Sequence, residues 1–323
     1  MQIAKLLKYC GAILALTGAA SAHAGGWPDH PITFIVPYTP ATGIDLIARQ
    51  LAPPLAKALG QPIVVENIPG ASGNIGSERV ARSKPDGYTF MVQVCTLVMN
   101  HGLYKNLPYD PVKDFAPVSL TSWGTLVLVE PASRPWKTTQ DLIAAARKTP
   151  GKLTYASPGV GTPHHLSMAL FDQQAGIDML HVPYKGSAGA VTDLLSGQVD
   201  AMFLPVHVAL PLIKSGKLRA LATGSPKRLQ QLPDVPTLTE AGIKEGNVDM
   251  WYGVLAPKGT PKAIIDRMNK EIGLALRSPA IAKSFEAQGM EPASSTPAEF
   301  HALIAKDDQR WRTLIEKAHI SAQ

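Results

Sequence analysis

Ile32-Thr33-Phe34-Ile35-Val36-Pro37-Tyr38-Thr39-Pro40-Ala41-Thr42-Gly43-Ile44-Asp45-Leu46 reads as a strand, a loop of small residues and the start of a helix. The first five residues are apolar or β-branched, and Pro37 ends the run. The loop leads into a helix N-terminus, where backbone N–H groups lack partners within the helix and carry partial positive charge. Such a turn can hold an anion without a basic side chain.

The same unit recurs along the chain. Residues 153–157 read as a strand, 159–163 as its loop, and a helix runs from near His164 to Gly176. Residues 179–182 form the next strand, with Pro183-Tyr184-Lys185-Gly186 as its loop and a helix through Val191-Thr192-Asp193-Leu194-Leu195 that stops at Gly197. Strands at 199–203 and 218–222 flank a helix over 208–214. Nearer the start, 63–66 and 89–94 read as strands, with helices from Ile44 and around 75–82. This alternation predicts an α/β fold, with parallel sheet covered by helices on both faces. Pro53-Pro54 lies inside the first helical pattern and predicts a bend or break there.

Two apolar stretches, 118–129 and 249–255, read as crossings between two lobes. The first lobe is then discontinuous, 25–126 with 251–323, and the second is 127–250. Pro261, Ser278-Pro279 and Thr296-Pro297 open three C-terminal helices. In the last of these Phe300, Leu303, Ile304, Trp311, Leu314 and Ile315 have amphipathic spacing and read as core. Thr138-Thr139-Gln140-Asp141 fits a helix cap.

Lys5 and Lys8 precede an apolar run, and Ala22-His23-Ala24 fits a small-x-small cleavage site. Residues 1–24 therefore read as a signal peptide cut after Ala24, which places the mature chain in the periplasm. The competing reading is a retained anchor, but the run falls short of the about 20 residues that a span requires. Cleavage removes two lysines and no acid, so the formal charge falls from +6 to +4. Basic residues are scattered among acidic ones, which argues against a nucleic-acid or membrane partner. Cys95 is the only cysteine of the mature chain, so no internal disulfide can form. It reads as a buried small residue rather than a nucleophile.

In open α/β sheets, ligands bind beyond the carboxyl ends of strands. The loops at 37–43, 157–163 and 183–189 qualify, and all are rich in Gly, Pro, Ser and Thr. No phosphate-loop or dinucleotide fingerprint is present. His164 and His165 are adjacent and point apart on a helix, which makes a poor metal pair. Ser157 can be drawn with His165 and an aspartate as a triad, yet no G-x-S-x-G elbow supports it. No catalytic residue, metal or cofactor is expected. Asp45 and Arg49 are four apart, either a local ion pair or a brace for the first loop. Tyr38 and Tyr184 lie in loops, where a tyrosine can stack on an aromatic acid or donate a hydrogen bond.

Ordered motifs extend along the mature chain. They include Trp27-Pro28, Gly60-Gln61-Pro62, Val64-Val65-Glu66-Asn67, Pro69-Gly70-Ala71, Gly73-Asn74-Ile75-Gly76 and Pro85-Asp86-Gly87-Tyr88-Thr89. Further on come Leu107-Pro108-Tyr109-Asp110-Pro111, Gly161-Thr162 with His165-Leu166, His181-Val182-Pro183-Tyr184-Lys185-Gly186 and Leu232-Pro233-Asp234-Val235-Pro236-Thr237. With these the chain resembles the Bug (Bordetella uptake gene) proteins, the TctC-type solute receptors of tripartite tricarboxylate transporters. The resemblance implies a two-lobed periplasmic binding protein of the Venus-flytrap, type II-like class. It implies a monomeric receptor that takes a small carboxylate, aliphatic or aromatic, and hands it to integral-membrane transporter subunits. A carboxylate sensor feeding a signalling partner is the alternative output. Carried over, the ligand contacts are Tyr38, Thr39, Ala41, Thr42 and Asp45 on one side, and Ser157, Thr162, Tyr184 and Lys185 on the other.

The chain departs from the family pattern at two places. Pro40-Ala41-Thr42 stands where Pro-Gly-Gly is usual, so side chains project where bare backbone is expected. Leu204-Pro205-Val206-His207 stands where an acidic residue followed by Asn is frequent. The second departure predicts a less polar or aromatic acid rather than an amino acid with an ammonium group.

Overall fold

The computed structural model describes residues 26–40, 42–184, 186–244 and 246–321. The leader at 1–24, Ala41 and Lys185 lie outside the described residues. The chain forms two α/β lobes, each built on its own sheet.

In the first sheet β1 (Ile32–Val36), β2 (Ile63–Asn67) and β3 (Thr89–Val94) are parallel. Strand β10 (Met250–Pro257) runs antiparallel between β3 and β4 (Phe115–Gly124), and β11 (Met290–Pro292) forms the edge beyond β4. The order is β11-β4-β10-β3-β1-β2. The second sheet has the order β7-β6-β8-β5-β9. It contains β5 (Leu126–Pro131), β6 (Thr154–Ser157), β7 (Leu180–Pro183), β8 (Ala201–Pro205) and β9 (Leu218–Thr223).

The apolar stretch 118–129 is therefore two strands in different sheets, parted at Thr125. β5 and β10 each begin where the chain enters a lobe, and each runs against the strands beside it. Both sheets are mixed for this reason, where the alternation alone predicted parallel sheet.

Helix α1 (Gly43–Leu59) packs on the first sheet through Ile47, Leu51 and Leu55, all fully buried. It continues through Pro53-Pro54 without a break. A proline inside a helix costs about 3 kcal/mol. Burying several large aliphatic side chains at about 1.5–3 kcal/mol each outweighs that. Helices α2 (Asn74–Ala81) and α3 (Thr96–Leu103) follow β2 and β3. α3 has no polar stripe to announce it, because Leu97, Val98, Met99 and Asn100 are all buried.

The second lobe carries α4 (Thr139–Lys148), α5 (Pro163–Ala175), α6 (Ser187–Ser196) and α7 (Val206–Lys214). Thr138 and Asp141 form the expected capping box at α4. Inside this lobe Arg219 donates from Nη1 to Glu130 at 2.7 Å and to the carbonyls of Arg134 and Trp136. One guanidinium thus partly offsets the burial of a carboxyl whose pKa burial still raises to about 7, and ties β9 to the chain beyond β5.

Helices α8 (Lys262–Leu276), α9 (Pro279–Ala287) and α10 (Pro297–Lys317) return to the first lobe. Phe300 on α10 stands edge-on to Trp251 of β10, with ring centroids 5.2 Å apart. A Cβ on Gly253 would lie 2.2 Å from Phe300 Cζ, so β10 must be bare there for α10 to dock. Trp251 Nε1 donates to Asp307 at 2.8 Å and pins the same helix. Phe300→Ala is expected to destabilise the protein by about 3–5 kcal/mol in urea unfolding, because the ring is fully buried between two elements of fixed spacing.

Candidate functional site

β1, β2 and β3 end at one edge of the first sheet, and β6, β7 and β8 end at one edge of the second. The crossing residues Thr125 and Asp249 adjoin both edges. The loops at 37–43 and 157–163 consequently face a common region between the lobes. Gly161 lies against Leu103 of α3, so the lobes meet in this structure.

In the first lobe the loop is held from below. Asn67, at the end of β2, donates from Nδ2 to the Tyr38 carbonyl at 3.0 Å and to Asp45 at 2.9 Å. Arg49 donates from Nε to both Asp45 oxygens at 3.0 Å and from Nη2 to Asn67 Oδ1 at 2.9 Å. Asp45 is buried, and its carboxylate serves as the brace for the loop. The Tyr38 hydroxyl donates to the Ser72 carbonyl at 3.0 Å and pairs with Thr96, and burial pushes its pKa far above the usual phenol range. Its polar end is thus engaged within its own lobe.

Thr39 is exposed. Thr42 occupies the N-cap of α1, but its hydroxyl donates to the Thr39 carbonyl at 3.0 Å and does not cap the helix. Gly43 and Ile44 open the helix, and their N–H groups meet no acceptor among the described residues. That leaves the positive end of α1 available to an anion.

The second-lobe loop is ordered by a stack of rings. His165 and His181 lie face to face, with centroids 3.8 Å apart and planes within 7°. Tyr155 stacks on His181 at 4.9 Å. Ser157 donates to the Gly159 carbonyl at 3.0 Å, so His181 Nε2–H donates to Ser157 Oγ at 2.7 Å. His165 Nδ1 accepts from the Gly161 N–H at 3.0 Å. Both imidazoles are neutral. Burial, then His181, holds His165 down at about 3, and burial holds His181 at about 4. The triad drawn from the sequence is thereby corrected: Ser157 pairs with His181, not His165, and its proton goes to a carbonyl.

Thr162 caps α5, accepting from the His165 N–H at 3.4 Å and donating to the Gly159 carbonyl at 2.8 Å. Tyr184 turns into its own lobe and donates to Asp193 at 2.6 Å; burial first, then this carboxylate, pushes it up to about 12.

Between the lobes, beside the crossing strands, lies a cavity of about 140 Å³. Gly43 and Tyr252 line it from the first lobe, Thr125 from the crossing, His207 from the second lobe, and Gln288 and Gly289 from the turn before β11. Leu204 does not reach it. That side chain is fully buried in the core of the second lobe, so any selection by this turn falls to His207. Cys95 is buried, as expected, and burial raises its pKa.

Sequence reasoning did not assign roles to Asn67, Ser72, Thr96 or His181. Asn67 and His181 stood within quoted motifs, but their partners lie 29 and 24 residues away, beyond any local pattern.

Residues 47–320 match the family model described as tripartite tricarboxylate transporter family receptor. Protein BugT of Bordetella pertussis is 38% identical over 320 residues, covering 98% of this chain and 98% of BugT. The solved structure of periplasmic binding protein BugD superposes with a TM-score of 0.76 at 33% identity, covering 91% of this chain and 99% of BugD. R. palustris Rpa4515, solved with adipate, gives 0.78 at 33% identity over the same shares.

Two outcomes are expected from this site. Asn67→Leu removes the tie to Tyr38, and amide exchange over 38–44 should rise about tenfold, the equivalent of about 1.4 kcal/mol. Acid should destabilise the fold through the ring stack. Below about pH 6.5 the unfolded chain binds protons that the folded His165 and His181 refuse. The contribution of these two rings to stability therefore falls as pH drops from about 6.5 towards 4 and is flat above 6.5. His181→Gln should remove about 1–2 kcal/mol of that pH dependence, the shift of a half-buried ring being discounted for solvent screening, read from urea midpoints between pH 4 and 7.

Proposed function

The chain belongs to the family of tripartite tricarboxylate transporter receptors, and from that membership we propose that it captures a small organic carboxylate between its lobes and delivers it to a membrane transporter of that type. The mature protein is periplasmic and monomeric, begins after Ala24 and performs no chemistry on its ligand. The lobes are 25–126 with 251–323, and 127–250.

The observation that carries this reading is the uncapped N-terminus of α1. Thr42 spends its hydroxyl on Thr39 rather than on the helix, and Gly43 borders the interlobe cavity. A carboxylate there gains up to about 2 kcal/mol from the helix dipole. Hydrogen bonds to a charged group add about 1.5–3 kcal/mol each. A few such terms reach the about −8 kcal/mol of micromolar binding after the costs of ordering.

The predicted contacts divide by role. The backbone at Thr39 and Thr42 faces the ligand directly, and Ala41 is a ligand contact carried over from the sequence. Tyr38 and Asp45 hold that backbone in place through Ser72, Thr96 and Asn67. Ser157 and Thr162 shape the opposing loop, Tyr184 supports the turn beyond β7, and Lys185 supplies positive charge. A cavity of about 140 Å³ suits a compact acid, being well below the roughly 300 Å³ at which pockets for drug-sized ligands begin. Hinge closure over the ligand links binding to the form that a carrier recognises. The adipate bound to R. palustris Rpa4515 supports an acid of this kind.

A thermal-shift panel of small carboxylates should single out one group, with stabilisation of roughly 2.7 kcal/mol at about 100 Kd. Thr42→Asp places a capping carboxylate at the same N-terminus. This variant should melt no lower than the parent and lose carboxylate binding about a hundredfold or more. Retained binding would place the ligand elsewhere.

A further inference from the structure

Tyr252 is the third residue of β10, the strand by which the chain returns to the first lobe. Successive side chains of a strand point to opposite faces of the sheet. Trp251 packs against Phe300 and donates to Asp307 on the α10 face, so Tyr252 points to the other face, where α1 begins. Its hydroxyl oxygen stands 3.8 Å from where a Cβ on Gly43 would lie. The same ring lies across Gly124, the last residue of β4. A Cβ there would fall 2.9 Å from Tyr252 Cε2 and 3.3 Å from the hydroxyl. Bare backbone at the end of one crossing strand thus makes room for a phenol carried by the other.

Tyr252 is 9% exposed, and it lines the interlobe cavity beside Gly43 and Thr125. Its hydroxyl makes no hydrogen bond among the described residues. Tyr38, Tyr109 and Tyr184, by contrast, all donate to partners within their own lobes. Burial pushes the Tyr252 pKa far above the usual phenol range, so the hydroxyl keeps its proton. A nearly buried donor left unused costs free energy, and a group that enters the cavity to accept from it recovers that cost.

The helix start at Gly43 and the phenol offer donors from two elements to one end of the cavity. A carboxylate has two oxygens that can accept from both, and hydrogen bonds to an ionised acceptor are the stronger kind. We propose that Tyr252 is a further ligand-binding residue, whose hydroxyl donates to the carboxylate received at the start of α1. The inference rests on the carboxylate-receptor reading above and adds to it a side-chain donor that none of the cleft loops supplies. Because this donor sits on β10 and against Gly124 of β4, a ligand that it holds is tied to both crossing strands as well as to the loop after β1.

Calorimetric titration of the mature protein with succinate, glutarate, adipate and benzoate tests it, together with thermal melts in the absence of ligand. Tyr252→Phe removes the hydroxyl and keeps the ring over Gly124. Without ligand this variant should melt no lower than the parent, since the hydroxyl has no partner to lose. It should bind the best of these acids about tenfold or more weakly than the parent does. A Tyr252→Phe protein that binds the acid within about threefold of the parent overturns the inference. So does one that melts about 2 °C or more lower without ligand, because the hydroxyl then serves the fold. If none of the acids binds the parent, the receptor reading itself falls and this inference falls with it.

Discussion

Strand β10 lies between β3 and β4, and everything at the site depends on that pairing. It runs alongside β4 from Met250–Gly124 to Pro257–Phe115, and it meets β3 at Tyr252–Val94. The chain leaves the first lobe through β4 and returns through β10, so both crossings are extended backbone in adjacent strands. Hinges between lobes are a few element-terminal residues of this kind that absorb a change in φ and ψ. The crossings also set where the parallel strands of each lobe end. The loops after β1, β3, β6 and β8 are brought to one interlobe region by this geometry.

Within that region the two lobes solve different problems. The first holds its loop by charge and amide hydrogen bonds, through Asp45, Arg49 and Asn67, and leaves the N–H groups of Gly43 and Ile44 facing outward. The second holds its loop by neutral ring stacking and hydroxyl turns, through His165, His181, Ser157 and Thr162. The first arrangement presents partial positive charge, and the second presents a neutral wall. Such a division suits a ligand that carries its negative charge at the α1 end.

Strands, helix caps and the α/β class were legible in the sequence because period, proline and capping patterns are local. Thr138-Thr139-Gln140-Asp141 shows this at α4. The helix α3 was not legible, because its few polar residues, Asn100 among them, are buried or paired and leave no solvent-facing stripe to reveal its period. Pro53-Pro54 misled for the opposite reason: a local rule was outweighed by tertiary burial of Leu51 and Leu55. At the site, the loop residues could be named, but their side-chain directions could not. Tyr38 and Tyr184 sit in two of the loops singled out from the sequence, yet both hydroxyls point into their own lobes, towards Ser72 and Asp193. Leu204 was weighed as a selector and is core, while His207 three residues on reaches the cavity.

The most direct measurement is a crystal structure of the mature protein grown with the acid that most stabilises it. This account predicts one ligand carboxylate within hydrogen-bonding distance of the Gly43 and Ile44 backbone N–H groups, with both lobes in contact with the ligand. A ligand bound away from the start of α1, or held by one lobe alone, would contradict it.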